Sequence, residues 1–374
     1  VRRPHRTWPQ RLLLTCNSLL VVVCLVAAAG LAWTYDQASA LPRLDLGRSL
    51  SEPVKGGEPQ NVLLVGVDNG AGLDAGDPVL TGRDMSLNTD TIMILRVDPT
   101  TQQASILSIP RDLYVPLAGG GKNRINAALA LGGPERLIET IKLNFDIPIN
   151  HYATVDFAGF RSLVEAVDGI PVYFPWPARD RNTGLFQYDP GCVTLDPEQS
   201  LAFARSRHFE IQVDGRWRED PTGDFGRISR QQLFIQAALE KAVAKGVRNP
   251  FVLRDLIGVA QQSVTLDRQY TVSDIVDLGT QFREFDPQNL ARYTVPGNAE
   301  FVGAMSVVIM DGKAAQPLLD IFRGVTAPPA SEPPVTAAAA PGAGASPTTT
   351  PETSTTSTTT DSYLPEAPAG VSCG

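Results

Sequence analysis

The chain reads as an α/β domain, a central mixed β-sheet flanked by helices, and three observations point to it. Short β-branched stretches alternate with stretches of helical spacing between residues 59 and 325. A length of 374 residues supplies a substantial core without disulfide staples. No internal repeat breaks that segment into stacked units. The full expectation adds one transmembrane helix before the domain and a disordered tail after it.

Residues 12–35, LLLTCNSLLVVVCLVAAAGLAWTY, carry no charge. That run is long enough for a membrane-crossing helix, which needs about 20 residues. The leading segment, 1–11, holds Arg2, Arg3, Arg6 and Arg11, and Trp33 and Tyr35 stand at the far edge. This asymmetry puts the N-terminus in the cytoplasm and everything after Asp36 outside, as a single-pass membrane protein. A cleaved signal peptide is the competing reading, since Ala38–Ser39–Ala40 has the small-x-small form. The apolar run exceeds the usual signal length, which favours a retained anchor. Residues 36–58, interrupted by Pro42, Pro53 and Gly56, form a linker.

Within 59–325, NVLLVGV, TIMILRV, ASILSIP, HYATV, LAFARSR, ARYTVP and MSVVIM read as strands. NRINAALAL, PERLIETIKLNF, FAGFRSLVEAV and RISRQQLFIQAALEKAVAKG read as helices. Residues 326–374 are rich in Pro, Ala and Thr and have little to bury.

The formal net charge is −8, and the four leading arginines make the remainder more acidic still, so no nucleic-acid partner is expected. Cys16 and Cys24 fall in the apolar run as filler. Cys192 and Cys373 either form a disulfide outside the cell or stay unpaired or pair between molecules, and their separation favours the latter. There is no CxxC pair and the three histidines do not cluster, which excludes a zinc site.

Three constellations could carry chemistry. Asp68 ends one strand and Asp90 begins the next, joined by a long Gly-rich connection. If the strands are antiparallel neighbours, both carboxylates lie at one sheet edge, where they suit a hard cation such as Mg²⁺ that shares its shell with water and phosphate. In SIPRDLYVP, Arg111 follows a strand-ending proline. The third gathers Arg205, Arg207, Arg216, Arg218, Arg227 and Arg230 within a short span. As a strand, LAFARSR puts Leu201, Phe203, Arg205 and Arg207 on one face, suited to a ligand with a charged head and a greasy body. GDFGRISRQQ opens a helix with Asp224 at its N-terminus and with Arg227 and Gln231 on one side, a natural phosphate site. Arg230 reads as a solvent-facing residue of that helix, and Arg216 and Arg218 as rim residues. GGGKN, at Gly119 to Asn123, fails as a phosphate-binding loop, because Pro116 and Asn123 stand where glycine and Ser/Thr are required.

In order, LLVGVD, TDTIMIL, SIPRDLYV, KNRINAALALGG, VDFAGFRSLVEAVDGI, LAFARSRH and GDFGRISRQQ resemble the LytR-CpsA-Psr family of cell-envelope phosphotransferases, over nearly all of 60–325. The resemblance implies transfer of a glycan-phosphate from a polyprenyl-pyrophosphate carrier to a hydroxyl of peptidoglycan, releasing polyprenyl phosphate. It implies that Asp68 and Asp90 hold Mg²⁺, and that Arg111, Arg205, Arg207 and Arg227 clamp the pyrophosphate. Asp224 would orient the clamp, Gln231 would add a hydrogen bond, and Leu201 and Phe203 would line a lipid tunnel. Arg111 and Asp224 stand as the catalytic pair. Where many relatives carry arginine two places before the second aspartate, this chain has Asn88, with Arg83 as a substitute. Pro197 replaces the glycine of the usual Leu-Asp-Gly, which alters a turn. Asn88 favours the alternative function, a catalytically weak scaffold that binds polyprenyl phosphate or wall polymer.

Overall fold

The computed structural model describes residues 43–52, 54, 57–68, 77, 88–244, 264–282, 284–328, 363, 365, 371 and 373. The anchor at 12–35, Arg83 and most of the Asp68–Asp90 connection and of the tail lie outside them. Among the described residues no helix is long and apolar enough to cross a membrane.

Strands run in the order β1 (Arg43–Leu44), β2 (Gln60–Asp68), β3 (Asn88–Asp98), β4 (Gln103–Ser108), β5 (Tyr114–Pro116), β6 (Lys122–Arg124) and β7 (His151–Val155). Then come β8 (Ile170–Phe174), β9 (Ala178–Asp180), β10 (Leu185–Gln187), β11 (Gly191–Leu195), β12 (Glu210–Val213) and β13 (Arg216–Glu219). The last are β14 (Val264–Asp267), β15 (Ala291–Thr294), β16 (Gly297–Val302) and β17 (Met305–Met310). The helices are α1 (Ala127–Phe145), α2 (Phe157–Ala166), α3 (Pro197–Arg205), α4 (Asp224–Ala244), α5 (Val272–Gln281) and α6 (Gly312–Arg323).

The main sheet has the order β1-β14-β7-β2-β3-β4-β15 and is mixed: β2 runs antiparallel to β3 but parallel to β7. Both of its faces are covered, so its strands read as near-continuous apolar runs. Leu63, Val65, Ile92, Ile94 and Leu107 join the core beneath α1 and α6, which contribute Ile138, Phe145, Leu319 and Phe322. Met93, Val97 and Ile106 face the other way, toward Ile235 of α4 and Leu278 of α5. A smaller sheet, β10-β9-β12-β13, and the pair β11-β8 enclose a second core with Phe174, Phe203, Phe209 and Phe234.

Two expected helices, NRINAALAL and PERLIETIKLNF, are one. Asn123 and Arg124 belong to β6, and α1 then runs through a kink at Gly132 and Gly133, where Gly133 has φ +71° and Pro134 restarts the helix. GGGKN forms the tip of the β5-β6 hairpin, with positive φ at Gly119, Gly120 and Gly121.

The larger correction concerns LAFARSR, which is not a strand: LAFAR closes helix α3, and Ser206 and Arg207 follow in the turn after it. Asp196 caps it by accepting from the Gln199 N–H at 2.8 Å, Pro197 occupies the first turn, and Glu198 complements the dipole. The proline that seemed to alter a turn in fact starts a helix. Period 3.6 then replaces period 2: Leu201 and Arg205, four apart, share a face, while Phe203 turns away and is fully buried against Phe174 and Phe209.

Cys192 on β11 is disulfide-bonded to Cys373, against the expectation that they stay apart, and Tyr363 lies against the second core. Non-reducing digestion of the purified chain is expected to give a single cross-linked species holding both cysteines. Cys192→Ser is expected to lower stability by about 2–4 kcal/mol in denaturant unfolding.

Candidate functional site

The site begins at a bulge. β2 and β3 pair Gly66 with Thr91 and Val67 with Thr89, so Asp90 is the extra residue between them and is aimed out of the ladder. Thr89 steadies the irregularity, its buried hydroxyl donating to the Gly66 carbonyl at 3.0 Å. Asp68, opposite Asn88, ends β2 at the same edge. The two carboxylates therefore share an edge as the antiparallel pairing requires.

Arginines from three separate segments gather on Asp90. Arg111, just past β4, bonds to Asp90 Oδ1 through its guanidinium and lies 4.0 Å from Asp224. Arg227, in the first turn of α4, stands 3.8 Å from Asp90 and binds Asp224 at 2.8 Å. Burial would raise the Asp90 pKa, but the charges of Arg111, Arg227 and Arg207 together outweigh it and hold the carboxyl below its ordinary value. Burial acts on Arg227 in the opposite sense, lowering its pKa against Asp224 and Asp90. Arg227 is 1% exposed. The Nε donors of Arg111 and Arg227, like that of Arg230, are buried and have no hydrogen-bond acceptor among the described residues, the Arg111 Nε standing 3.5 Å from Asp112. At Arg227, which lines the cavity, such a donor offers a place for an anion's oxygens.

Arg207 is positioned through its backbone. Asp180, on β9 and fully buried, accepts from Ser206 Oγ at 2.7 Å, from the Arg207 N–H at 3.1 Å and from the His208 N–H at 3.0 Å. From the opposite side Arg230 donates to the Ser206 carbonyl at 3.0 Å and pairs with Asp220 at 2.6 Å, both side chains fully buried. Arg230 thus does not face solvent; it fixes the turn that presents Arg207. Arg216 and Arg218 are exposed, as expected of rim residues.

A cavity of about 590 Å³ opens from this cluster, between the second face of the main sheet and helices α2 and α4. Its polar end holds Asp90, Arg205, Arg227 and Gln231, Thr91, Thr154 and Asp156 add further polar groups, and the rest is apolar, with Leu201, Phe160, Leu163 and Leu239 among its walls. Arg205 projects over the Phe157 ring, 4.9 Å from its centroid. Gln231 donates to Thr91 Oγ1 at 3.0 Å and to the Ala204 carbonyl at 2.9 Å, joining α4 to both β3 and α3.

Of the sequence-predicted residues, Asp90, Arg111, Arg227 and Asp224 are in mutual contact; Arg205, Gln231 and Leu201 line the cavity; and Arg207 acts on Asp90 through its charge. Phe203 is absent from the cavity wall. Sequence reasoning missed Asp180, Asp220 and the inward role of Arg230, since their partners lie 10 to 28 residues away along the chain. The capping run Asp196-Pro197-Glu198 was the available signal for α3.

The LytR_cpsA_psr family profile matches residues 35–323. The chain is 29% identical over 290 residues to the polyisoprenyl-teichoic acid–peptidoglycan teichoic acid transferase TagU of Oceanobacillus iheyensis, covering 72% of this chain and 81% of that protein. It is 35% identical over 210 residues to the probable cell wall biosynthesis protein LcpB of Corynebacterium glutamicum, covering 55% of this chain and 48% of that one. Among solved structures, the LytR-Csp2A-Psr enzyme from Actinomyces oris superposes with a TM-score of 0.59 at 24% identity, over 75% of this chain and 95% of that one.

Asp220→Ala is expected to cost about 3–5 kcal/mol in urea unfolding, because it strands a buried guanidinium, and Arg230→Met in that background should recover part of the loss. With its pKa depressed, Asp90 contributes stability in full above about pH 4 and loses it as pH falls through the lower folded value. The acid limb of the stability curve should accordingly be shallower in Asp90→Asn.

Proposed function

Because the chain belongs to the LytR_cpsA_psr family, we propose that it is a cell-wall transferase that moves a glycan-phosphate from a polyprenyl-pyrophosphate-linked precursor to a hydroxyl of peptidoglycan. The observation that carries this reading is the junction of unsatisfied buried guanidinium donors with a long apolar cavity. A ligand matched to it has a diphosphate at one end of an apolar chain. The TagU relative, a polyisoprenyl-teichoic acid–peptidoglycan teichoic acid transferase, supports the same class.

In the proposed step the acceptor oxygen attacks the phosphorus that bears the glycan. The bond from that phosphorus to the bridging oxygen breaks, polyprenyl phosphate leaves, and the acceptor's proton passes to the departing phosphate or to water. Arg111, Arg205, Arg207 and Arg227 bind and orient the diphosphate and neutralise charge on its oxygens. Asp224 holds Arg227 in register through its 2.8 Å contact. Asp90, kept ionised by its arginines, is a weak proton acceptor and serves to organise charge.

Asp68 and Asp90 would hold Mg²⁺. Among the described residues no three carboxylate, His or Cys groups converge into an all-protein cage, and two carboxylates suit an ion that completes its shell with water and phosphate. When bound, the ion would supply further charge neutralisation at the diphosphate. The charge-free run at 12–35 would anchor the chain with the domain outside the cytoplasm, so that the donor's lipid reaches the cavity from the bilayer.

The test uses the full chain in detergent with a polyprenyl-pyrophosphate-linked sugar and a peptidoglycan acceptor, with and without Mg²⁺, reading polyprenyl phosphate release by mass spectrometry. Arg207→Ala should lower turnover by about 10²–10³-fold while leaving thermal stability unchanged, since the buried contacts of that turn are made by its backbone. Tight lipid binding without cleavage would support the scaffold alternative instead.

A further inference from the structure

The small sheet β10-β9-β12-β13 buries one face and displays the other. Leu185, Ala178 and Ile211 point into the second core. Register sets Phe186 opposite Arg179, Arg179 opposite Glu210, and Gln212 opposite Trp217. These side chains share the outer face, and Tyr188 continues it two residues beyond Phe186. On that face the Phe186 and Tyr188 rings stack with centroids 6.2 Å apart. Trp217 meets Tyr188 edge-on at 6.4 Å, and the Arg179 guanidinium lies 3.8 Å from the Trp217 ring centroid. Phe186 and Tyr188 are 46% and 58% exposed. The solvent face of an antiparallel sheet is ordinarily polar, so a row of three rings there is a binding feature.

Position and charge select the occupant. β12 begins three residues after Arg207 and β13 ends five before Asp224, so the face is joined at both ends to the phosphate cluster. The apolar cavity runs along α4 from Arg227 toward Ala242, roughly 22 Å at the helical rise. The hairpin that carries Trp217 springs from the turn that presents Arg207 and leads back to the start of α4, beside the proposed phosphate end of that cavity. Arg179 is neutralised by Glu210 at 2.6 Å, and Glu219 is in contact with His208 at 2.7 Å. The face holds no surplus of positive charge for a polyanionic polymer. Pyranose rings carry flat C–H faces that stack on aromatic rings, and their hydroxyl and acetamido groups can meet Gln212 and the carboxylates at the rim.

We propose that this face is a docking platform for an uncharged N-acetylhexosamine strand, the glycan backbone of the acceptor; the assignment to the acceptor rests on the transfer reading above. The test is calorimetric titration of the full chain with N-acetylglucosamine hexasaccharide in the absence of any lipid donor. Binding to the wild type is expected, weakened about tenfold or more in both Trp217→Ala and Tyr188→Ala, with Tyr188→Phe retaining most of it. Tyr188 is more than half exposed, so its variant keeps the test valid if loss of Trp217 disturbs folding. Wild-type binding that is absent at millimolar probe, or equal in the variants, overturns the proposal. So does a loss in Tyr188→Ala of co-sedimentation with phosphatidylglycerol vesicles, or of a concentration-dependent dimer, with saccharide binding unaltered. Because no donor is present, failure here leaves the phosphate-transfer reading standing, and failure of transfer leaves this measurement interpretable.

Discussion

Two buried guanidiniums at the start of one helix govern the arrangement of the rest. Arg227 and Arg230 are 1% and 0% exposed, and a charge so far from water must be paired and hydrogen-bonded. Arg227 is met by Asp224 and Asp90, and Arg230 by Asp220 and the Ser206 carbonyl. Those partners come from β3, from the turn after α3 and from the segment before α4. Meeting the two charges therefore fixes how three parts of the chain approach one another.

The two pairs differ in access to the cavity: Arg227 lines it and Arg230 does not, although both leave a buried Nε without an acceptor. Asp220 and Arg230 form a closed pair with both side chains out of water. Arg227 and Arg111 share Asp90 and Asp224, Arg111 also stands 3.5 Å from Asp112, and the Nε donors of both arginines have no hydrogen-bond acceptor among the described residues. The lowered pKa of Asp90 records the pull of Arg111, Arg227 and Arg207 even after burial has pushed the other way. An anion placed there would relieve a cost that the folded chain already bears, which is electrostatic preorganisation.

Helix α4 gives the cavity both of its characters. Arg227 and Gln231 lie one turn apart at the polar end, and Phe234, Ala238 and Leu239 continue the same wall with apolar groups. Helix α3 repeats the scheme on a smaller scale, with Leu201 in the apolar wall and Arg205 at the polar end. The second core, which holds Phe203, Phe209 and Phe234, then supports both helices from behind and carries the small sheet outward on its far side.

By itself the sequence determined the α/β class, five of the seven strands of the main sheet, the shared edge of Asp68 and Asp90, and the charged first turn of α4. Each of those is local: β-branched runs, a carboxylate at a strand end, a charged helix N-terminus. It misassigned LAFARSR because alternation over seven residues fits both periods, and the capping residues that separate them stand just upstream, at Asp196 and Pro197. It placed Phe203 in the cavity for the same reason, and it read Arg230 as a surface residue because its partner Asp220 and the Ser206 carbonyl meet it only after folding. The tertiary structure alone decided that Asp180 holds the Arg207 turn, that Cys192 and Cys373 join, and that Phe186, Tyr188 and Trp217 form one row. Those relationships depend on register and on contacts between segments far apart in the chain, and nothing in the composition or spacing of either segment encodes its partner.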